Sequence, residues 1–351
     1  MTPERLRTAD FEYDLPDELI AQEPLAERGG SRLLVVRRES PSAELPSSLV
    51  DAQFADLAGL IPSGDLIVIN TTKVRHARLL GTRPSGAPAE VLLIHPAGPD
   101  TWVAIGKPGS ALAPGKRIAI GPEEAIETVE ILPGGNRLVR FVGTSAEEAM
   151  GRYGCLPLPP YIERAPTELD EARYQTIYAE AEGSVAAPTA GLHFTPWLLD
   201  ALTTAGVHIV GLDLQVGTGT FKPVEVEDPT EHQMHPERYE ISPALAHRVS
   251  QVRASGGRIW AVGTTVVRAL ESAVCPDGSI RYGPAETRLM ILPGYQFRVV
   301  DHLITNFHLP RSTLLMLVCA FAGRSLALGA YRHAVAAKYR FYSYGDAMVI
   351  I

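Results

Sequence analysis

The sequence predicts an α/β domain that is interrupted by a small all-β unit. Apolar runs typical of buried parallel strands occur at residues 33–36 and 66–69. Between residues 75 and 155 roughly six short β-type runs alternate with Gly and Pro turns, at the spacing of a small barrel or sandwich. We therefore predict an α/β domain built from residues 1–74 and 156–351, with a β-barrel or sandwich of residues 75–155 inserted into it.

Composition limits the classes of function. The chain has 351 residues, 46% hydrophobic and 21% charged, as in ordinary globular proteins. No apolar run is long enough to span a membrane, so we expect a cytoplasmic protein without a membrane partner. The net charge of −8 argues against broad nonspecific nucleic-acid binding and leaves room for a local basic patch. The cysteines have no CxxC spacing, so we expect reduced thiols and no zinc site.

The first segments alternate in the manner of an α/β domain. A short helix is predicted over 17–22, and Pro24 is expected to end it. A second helix is predicted over 51–60. The strand at 65–70 ends in the polar residues Asn70 to Lys73. Ligands of α/β sheets bind at the carboxyl ends of strands, so these residues are expected near a ligand.

A stretch rich in glycine, residues 183–195, has the composition of a ligand-binding loop. Gly183 and Gly191 are able to take positive φ and to let a ligand approach the main chain. Thr195 is expected to cap a helix that begins at Pro196, which places the residues before it next to a helix N-terminus that favours anionic or carbonyl oxygens. The competing interpretation is a buried loop whose histidine is already hydrogen-bonded.

Two later segments are less informative about chemistry. G-T-G-T at 217–220 lacks the spacing and the following helix of a dinucleotide fingerprint, so it is interpreted as a turn near a ligand. His232 and His235, with Glu237 nearby, have the spacing of a metal pair. A third ligand at suitable spacing is missing, so acid/base or hydrogen-bonding use is favoured over metal binding.

The C-terminal third repeats a strand–turn–helix pattern. Residues 242–255 are predicted to be helical, and a second helix follows the turn at Gly263. Thr264 and Thr265 would present hydroxyl and backbone N–H groups at that helix N-terminus, where a small charged ligand fits. Asn306 to His308 form a corresponding loop before a helix capped at residues 312–313, and the tail is predicted to be a helix, an aromatic turn and a strand.

Ordered blocks along nearly the whole chain, from F-E-Y-D-L-P-D-E-L-I-A-Q to Y-G-D-A-M-V-I, resemble the S-adenosylmethionine:tRNA ribosyltransferase-isomerase family of queuosine biosynthesis. The resemblance implies a three-layer αβα sandwich with an inserted small β-barrel. Thr71 and Gln215 depart from the family pattern, which usually has Asp and His there, and so does Arg288-Leu289-Met290 before P-G-Y-Q-F. The blocks that carry the resemblance also include S-R-L-L-V, A-E-V-L-L, P-L-P-P-Y-I, R-Y-Q-T-I-Y-A, G-S-V-A-A-P-T-A-G-L-H-F-T, V-G-T-G-T-F-K-P-V, H-Q-M-H-P-E, A-V-G-T-T, P-G-Y-Q-F and T-N-F-H-L-P-R-S-T-L-L-M-L-V.

The resemblance implies a reaction on tRNA. The ribosyl carbons of S-adenosylmethionine, the co-substrate, would be transferred to 7-aminomethyl-7-deazaguanine in the tRNA anticodon stem-loop. The products would be epoxyqueuosine in tRNA, adenine and methionine. The expected protein is a monomer that needs neither a metal nor a redox cofactor.

Such a reaction requires a base, donors for developing negative charge and contacts to a sulfonium. The candidates for base or proton shuttle, with the carboxylates that would orient them, are His193, His235, His308, Glu237 and Glu271. The candidates for contact with S-adenosylmethionine are Gly183, Ser184, Thr189, Gly191, Phe194, Thr264, Thr265 and Asn306. The candidates for contact with tRNA phosphates are Arg32, Lys73, Arg75 and Arg78, although Arg32 also fits an ion pair at a strand end.

Two alternatives stay open at this point. One is an enzyme of the same fold with a different acceptor, such as a small molecule, which Thr71, Gln215 and the net charge of −8 would suit. The other is a noncatalytic RNA-binding or scaffold protein. Release of adenine from S-adenosylmethionine with modified tRNA, with no acceptor and with small acceptors separates them.

Overall fold

The computed structural model describes residues 6–38, 48–217 and 223–351. Strands and helices are numbered in chain order. The strands are β1 (Arg32–Val36), β2 (Leu49–Gln53), β3 (Leu66–Asn70), β4 (Lys73–Val74), β5 (Arg78–Thr82), β6 (Pro88–Gly98), β7 (Thr101–Lys107), β8 (Arg117–Ala119), β9 (Ala125–Ile131), β10 (Arg137–Val142), β11 (Gly154–Cys155), β12 (Glu182–Ser184), β13 (His208–Leu214), β14 (Glu237–Ile241), β15 (Ile259–Val262), β16 (Gly283–Thr287), β17 (His302–Asn306) and β18 (Ala347–Ile350). The α-helices are α1 (Leu57–Leu60), α2 (Ala146–Tyr153), α3 (Glu168–Arg173), α4 (Pro196–Thr204), α5 (Pro243–Ala254), α6 (Thr264–Ala273), α7 (Thr313–Ala322) and α8 (Arg324–Ala336).

A nine-stranded mixed sheet forms the centre of the molecule, in the order β16-β14-β13-β3-β15-β17-β18-β1-β2. The neighbouring strands β13, β3, β15 and β17 are parallel to one another. Antiparallel strands β14 and β18 flank this group. The carboxyl ends of the four parallel strands therefore open at one edge of the sheet, which is where α/β sheets bind ligands.

Helices cover both faces of the large sheet. Along β1, Leu34 packs with the core beneath α5–α8, whereas Leu33 packs with the core beneath α1 and α4. Strand β3 alternates in the same way. A strand directs successive side chains to opposite faces, so the continuous apolar runs reflect burial on both faces. This three-layer arrangement confirms the αβα sandwich.

The strands from β5 to β10 form a separate antiparallel barrel. Their order is β5-β6-β7-β10-β9-β8, and Thr82 of β5 pairs with Ala119 of β8 to close it. The barrel has its own apolar core, to which α2 contributes Ala146 and Ala149. Val185, which follows β12, also packs into this core. The predicted small β-barrel is confirmed, and the pairing of β5 with β8 joins the two ends of its strand order; the domain bounds at 75 and 155 stay a prediction.

Two predicted N-terminal helices differ from the structure. Residues 17–22 form only a short 3-10 helix, Asp17–Leu19, because Ile20 returns to extended backbone and bridges to Phe341. The segment 51–60 begins as the end of β2, which pairs with β1, and continues as 3-10 and α-helical turns. Strand pairing overrode local helical propensity here. The later helices α4, α5, α6 and α7 are close to prediction, and Thr195, Ser242 and Ser312 cap α4, α5 and α7 through their side chains.

No single α-helix within 6–38, 48–217 and 223–351 is long and apolar enough to cross a membrane. The helices α7 and α8 meet the criterion of length and composition only as a pair, and a 115° bend separates them.

Candidate active site

A cleft lies at the carboxyl ends of β15 and β17. It encloses about 640 Å³ of space free of protein atoms, part of which is open to solvent. Its walls come from the 3-10 helix Thr189–His193, the start of α6, the loop after β17 and the aromatic turn before β18. The lining residues include Tyr161, Pro188, Thr189, Val216, Thr264, Thr265, Thr305, Asn306, Phe307, His308, Leu314 and Tyr342.

The turn into α6 brings polar groups to this cleft. Gly263 has φ 95°, a conformation that a side chain would strain, and it lets the chain turn directly from β15 into the helix. Thr264 and Thr265 then occupy the first helical turn and line the cleft. Their hydroxyls and the free N–H groups of that turn make this wall suited to oxygen atoms of a ligand.

Asn306 carries a buried acceptor without a partner. Its Nδ2 donates to the Tyr342 carbonyl at 2.9 Å and contacts Nε2 of His193 at 3.2 Å. Its Oδ1 is buried and accepts no hydrogen bond from any residue the structure describes. A buried polar atom left without a partner costs about 1–3 kcal/mol. Because Asn306 lines the cleft, this oxygen is available to a donor of a bound ligand.

His193 lies behind Asn306 and is not among the residues that line the cleft. Its ring packs on Phe54 at 4.9 Å, and its Nδ1 is 2.9 Å from Oγ of Ser31. The amide nitrogen of Asn306 only donates, so Nε2 of His193 accepts and Nδ1 carries the proton. Burial lowers the pKa of His193 to about 4, which keeps this ring neutral. The position of His193 is suited to orienting the Asn306 amide.

His308 is the candidate histidine that lines the cleft. Its Nε2 shares a 2.8 Å hydrogen bond with Oγ1 of Thr305. Its backbone N–H and carbonyl are held by the hydroxyls of Tyr331 and Tyr13. Burial lowers the pKa of His308 to about 3, so the ring is neutral near pH 7.

Gly183, Ser184, Gly191 and Phe194 do not line the cleft but support the loops around it. Neither glycine has positive φ. A Cβ at Gly183 would come within 2.9 Å of the Gln215 side chain, and a Cβ at Gly191 would collide with the Tyr178 hydroxyl. Ser184 Oγ donates to Thr72 and accepts from Val216 N–H at 2.8 Å, and the Phe194 ring is fully buried in the core beneath α4. In the structure these four residues are closely packed, and their predicted contact with S-adenosylmethionine stays a prediction.

Glu271 is likewise engaged away from the cleft. Its two carboxylate oxygens accept the backbone N–H groups of Arg298, Val299 and Val300. The Tyr295 hydroxyl donates to the same carboxylate at 3.3 Å. The carboxylate thus fixes the loop that leads into β17.

A second cavity lies between the barrel and the sandwich and shares Leu314 with the cleft. Glu237 and Arg268 form a buried ion pair there, with 2.5 Å between Oε2 and Nη1. Burial raises the pKa of Glu237, while the neighbouring guanidinium lowers it. The other lining residues include the candidate His235, with Ile94, His95, Val103, Asn136, Gly217, His232, Met234, Thr313 and Leu314.

Arg268 is not among the site residues predicted from the sequence. The signal was a lone arginine between apolar residues of α6, in V-V-R-A-L. A charged residue at such a position is almost never fully buried unless it is paired. Gly217, the first residue of the motif G-T-G-T, lines this cavity, and the rest of the motif, 218–220, lies outside the described residues.

The cationic candidates fall into two places. Lys73, Arg75 and Arg78 lie on β4, β5 and the connection between them, where the sandwich leads into the barrel. Lys73 faces Glu182 at 3.4 Å, and the Arg75 guanidinium lies 5.4 Å from the centre of the Trp102 ring. Arg78 pairs with Glu90 at 2.8 Å.

Arg32 lies apart from that group, on β1. It pairs with the buried Asp346 at 3.1 Å and stacks on Tyr339 at 4.1 Å. The ion pair at a strand end that the sequence suggested is therefore present. Within the described ranges, groups of three or more His, Cys, Asp or Glu side chains able to hold a metal ion are not found, although His95, His232, His235 and Glu237 all line the second cavity.

Comparison with known proteins gives one consistent family. The model of a family described as queuosine biosynthesis protein matches residues 8–350. The S-adenosylmethionine:tRNA ribosyltransferase-isomerase of Symbiobacterium thermophilum is 50% identical over 351 residues, which cover 99% of this chain and 100% of that protein. The protein of the same name from Azoarcus sp. is 48% identical over 98% of this chain and 97% of its own. The solved structure of the S-adenosylmethionine tRNA ribosyltransferase from Thermotoga maritima aligns with a TM-score of 0.55 and 33% identity, over 97% of this chain and 100% of that one.

Proposed function

Because this chain belongs to the queuosine biosynthesis protein family, we propose that it transfers and isomerises the ribosyl moiety of S-adenosylmethionine onto 7-aminomethyl-7-deazaguanine in tRNA. Epoxyqueuosine in tRNA, adenine and methionine are the products. The observation that carries this proposal is the full-length match to ribosyltransferase-isomerases at about half of all positions, 50% identity over 99% of the chain. It favours a transferase over a scaffold and tRNA over a small acceptor.

The chemistry sets the demands on the site. The positive sulfur of S-adenosylmethionine acidifies the hydrogens on the neighbouring ribose carbon. Removal of one of them by a base lets adenine leave and the sugar open, after which the aminomethyl nitrogen attacks. Closure of the carbocycle and loss of methionine leave the epoxide. The protein must hold the nucleoside, move protons and stabilise developing oxyanions.

We place the nucleoside of S-adenosylmethionine in the cleft at β15 and β17. The unpartnered Oδ1 of Asn306 is an acceptor for an adenine amino group or a ribose hydroxyl. Thr264 and Thr265 offer hydroxyls and helix N-terminal N–H groups to sugar oxygens. Thr189 adds a further hydroxyl from the 3-10 helix Thr189–His193. Each of these contacts suits a neutral, polar nucleoside.

Among the histidines, His308 and His235 are our candidates for proton transfer, since they line the cleft and the adjoining cavity. Burial holds the pKa of His308 at about 3, which makes it a weak base, so we propose that the bound substrate changes its surroundings. His193 is a positioning residue that acts through Asn306.

We propose that the protein acts as a monomer. The anticodon stem-loop of the tRNA would then lie across the junction of sandwich and barrel. Lys73, Arg75 and Arg78 lie at that junction and offer cationic groups to phosphates. Arg32 is assigned to structure because a buried carboxylate holds it. A tRNA substrate also supports the cytoplasm as the place of action, and no step requires a metal.

The decisive experiment measures adenine released from S-adenosylmethionine. We expect release with tRNA that carries 7-aminomethyl-7-deazaguanine, and little with unmodified tRNA or the free base. Asn306→Ala should reduce it, while Ser250→Ala, an exposed position on α5, serves as the matched control. Equal release with the free base would favour the small-molecule alternative. No release with any acceptor, from protein that still binds tRNA, would favour the noncatalytic one.

A further inference from the structure

Arg268 presents a hydrogen-bond donor that the folded chain leaves unused. The side chain is 4% exposed, and its Nε and Nη1 donate to the Leu289 carbonyl and to Glu237. Its Nη2 is buried and has no partner among the residues that the structure describes. A guanidinium carries five N–H donors in a fixed plane, so two corners are anchored while the third is open. An unsatisfied buried donor of this kind is costly unless a ligand completes it.

Arg268 lines the cavity between the barrel and the sandwich, and its unpartnered Nη2 is the donor that it has left for a group bound there. Helix α6 connects that cavity with the cleft, because Thr264 and Thr265 line the cleft and Arg268 lines the cavity. Three to four residues along a helix correspond to about 5 Å. Leu314 is common to both spaces. A small molecule held in the cleft is therefore long enough to reach Arg268 with a side arm.

The charges at this cavity favour one class of group. Glu237 and Arg268 together are neutral and present one negative and one positive end. A phosphate would add uncompensated negative charge beside a buried carboxylate, which is unfavourable at low dielectric. An α-amino-acid group carries both charges, so its carboxylate is matched by the guanidinium and its ammonium by the carboxylate side of the pair.

We propose that Arg268 binds the carboxylate of the amino-acid arm of S-adenosylmethionine, with Glu237 as the residue that positions the guanidinium. This assignment rests on the proposed function and adds a specificity determinant to it. In this arrangement the methionine end of the co-substrate lies in the second cavity while the nucleoside occupies the cleft. The ribose then sits between the two, beside α6.

The test compares two ligands, S-adenosylmethionine and its decarboxylated form, which keeps the amine and lacks the carboxylate. We expect the unmodified protein to bind the first about 10- to 100-fold more tightly, the range for a charge-assisted hydrogen bond. In the double variant Glu237→Gln/Arg268→Gln this ratio should fall to within about threefold. The matched control Glu286→Gln/Arg288→Gln removes an exposed Arg–Glu pair and should leave the ratio unchanged.

A second variant guards against misfolding of the first. Arg268→Lys keeps the charge beside Glu237 but has no Nη2, so it should fold and still lose most of the discrimination. Retained discrimination in both variants, or none in the unmodified protein, would overturn the assignment. So would a loss of tRNA affinity in Arg268→Lys without a change in the ligand ratio, which would indicate a phosphate at this position. Failure of the unmodified protein to bind S-adenosylmethionine at all would instead count against the proposed function.

Discussion

The free energy of unfolding should fall less on acidification, by about 3 kcal/mol, when His193 is replaced by Gln. Burial lowers the pKa of His193 from 6.5 to about 4. Between those two pH values the unfolded chain binds a proton at this site and the folded chain does not, so the free energy of unfolding falls as the pH falls. A pKa difference of this size corresponds to about 3 kcal/mol. The contribution is fully present above pH 6.5 and is lost by about pH 4.

The assay is urea unfolding at about pH 7 and about pH 4 for the unmodified protein and His193→Gln. The measured quantity is the loss of unfolding free energy between the two pH values, which we expect to be smaller in the variant by about 3 kcal/mol. His247→Gln, an exposed position on α5, is the control and should show the full loss. Carboxylates titrate equally in all three proteins, so the difference isolates His193.

An equal loss in the variant and the unmodified protein would refute the reasoning, because the buried neutral imidazole could not then be the source. The pH profile of adenine release gives an independent result. If His193 only orients Asn306, His193→Gln should lower turnover or affinity without changing the shape of the profile. Disappearance of an acidic limb would instead identify His193 as the base.

Three further outcomes follow from the contacts. Asn306→Ala should weaken binding of S-adenosylmethionine about 5- to 10-fold in equilibrium dialysis, because a ligand donor loses the open Oδ1; unchanged affinity would remove the nucleoside from this cleft. Glu271→Gln should lower the free energy of unfolding by about 1–3 kcal/mol, since its carboxylate holds three backbone N–H groups, and should leave adenine release per folded molecule intact; lost release at normal stability would place Glu271 in the chemistry. Lys73→Gln and Arg75→Gln should each make the salt dependence of tRNA binding shallower by about one unit of slope, and an unchanged slope would contradict a phosphate contact.

The features of the fold that could be predicted from the sequence were those that depend on short segments of the chain. Unbroken apolar runs such as 66–69 implied strands buried on both faces, and Thr195-Pro196 located the start of α4. The series of short β-type runs separated by Gly and Pro turns after residue 75 implied the barrel. The conformation of the segment at 51–60 could not be predicted from its own residues, because the first of them pair with β1 and that pairing is a tertiary contact.

The sequence predicted which loops lie near the candidate site. It did not predict which side chains of those loops contact one another or line the cleft. Thr264 and Thr265 follow β15, and Asn306 is the last residue of the parallel neighbour β17, so their convergence at one edge could be expected. The roles of Gly191 and Phe194 could not, because spacing does not reveal which side of a loop faces solvent. The fact that His193 stands behind Asn306 depends on residues more than a hundred positions apart.

The barrel forms part of the cavity in which we propose that the amino-acid arm of S-adenosylmethionine binds. Ile94, His95, Val103 and Asn136 form the barrel side of the cavity that contains Arg268, so a sandwich alone would leave that guanidinium open to water. Val185 packs in the barrel core while Ala187, two residues on, lines the cleft. A shift of the barrel would therefore move one wall of the cleft and open the Arg268 cavity together. This coupling gives a physical reason for a tRNA bound across the junction to influence how firmly S-adenosylmethionine is held, because both ligands would depend on the same relative position of barrel and sandwich.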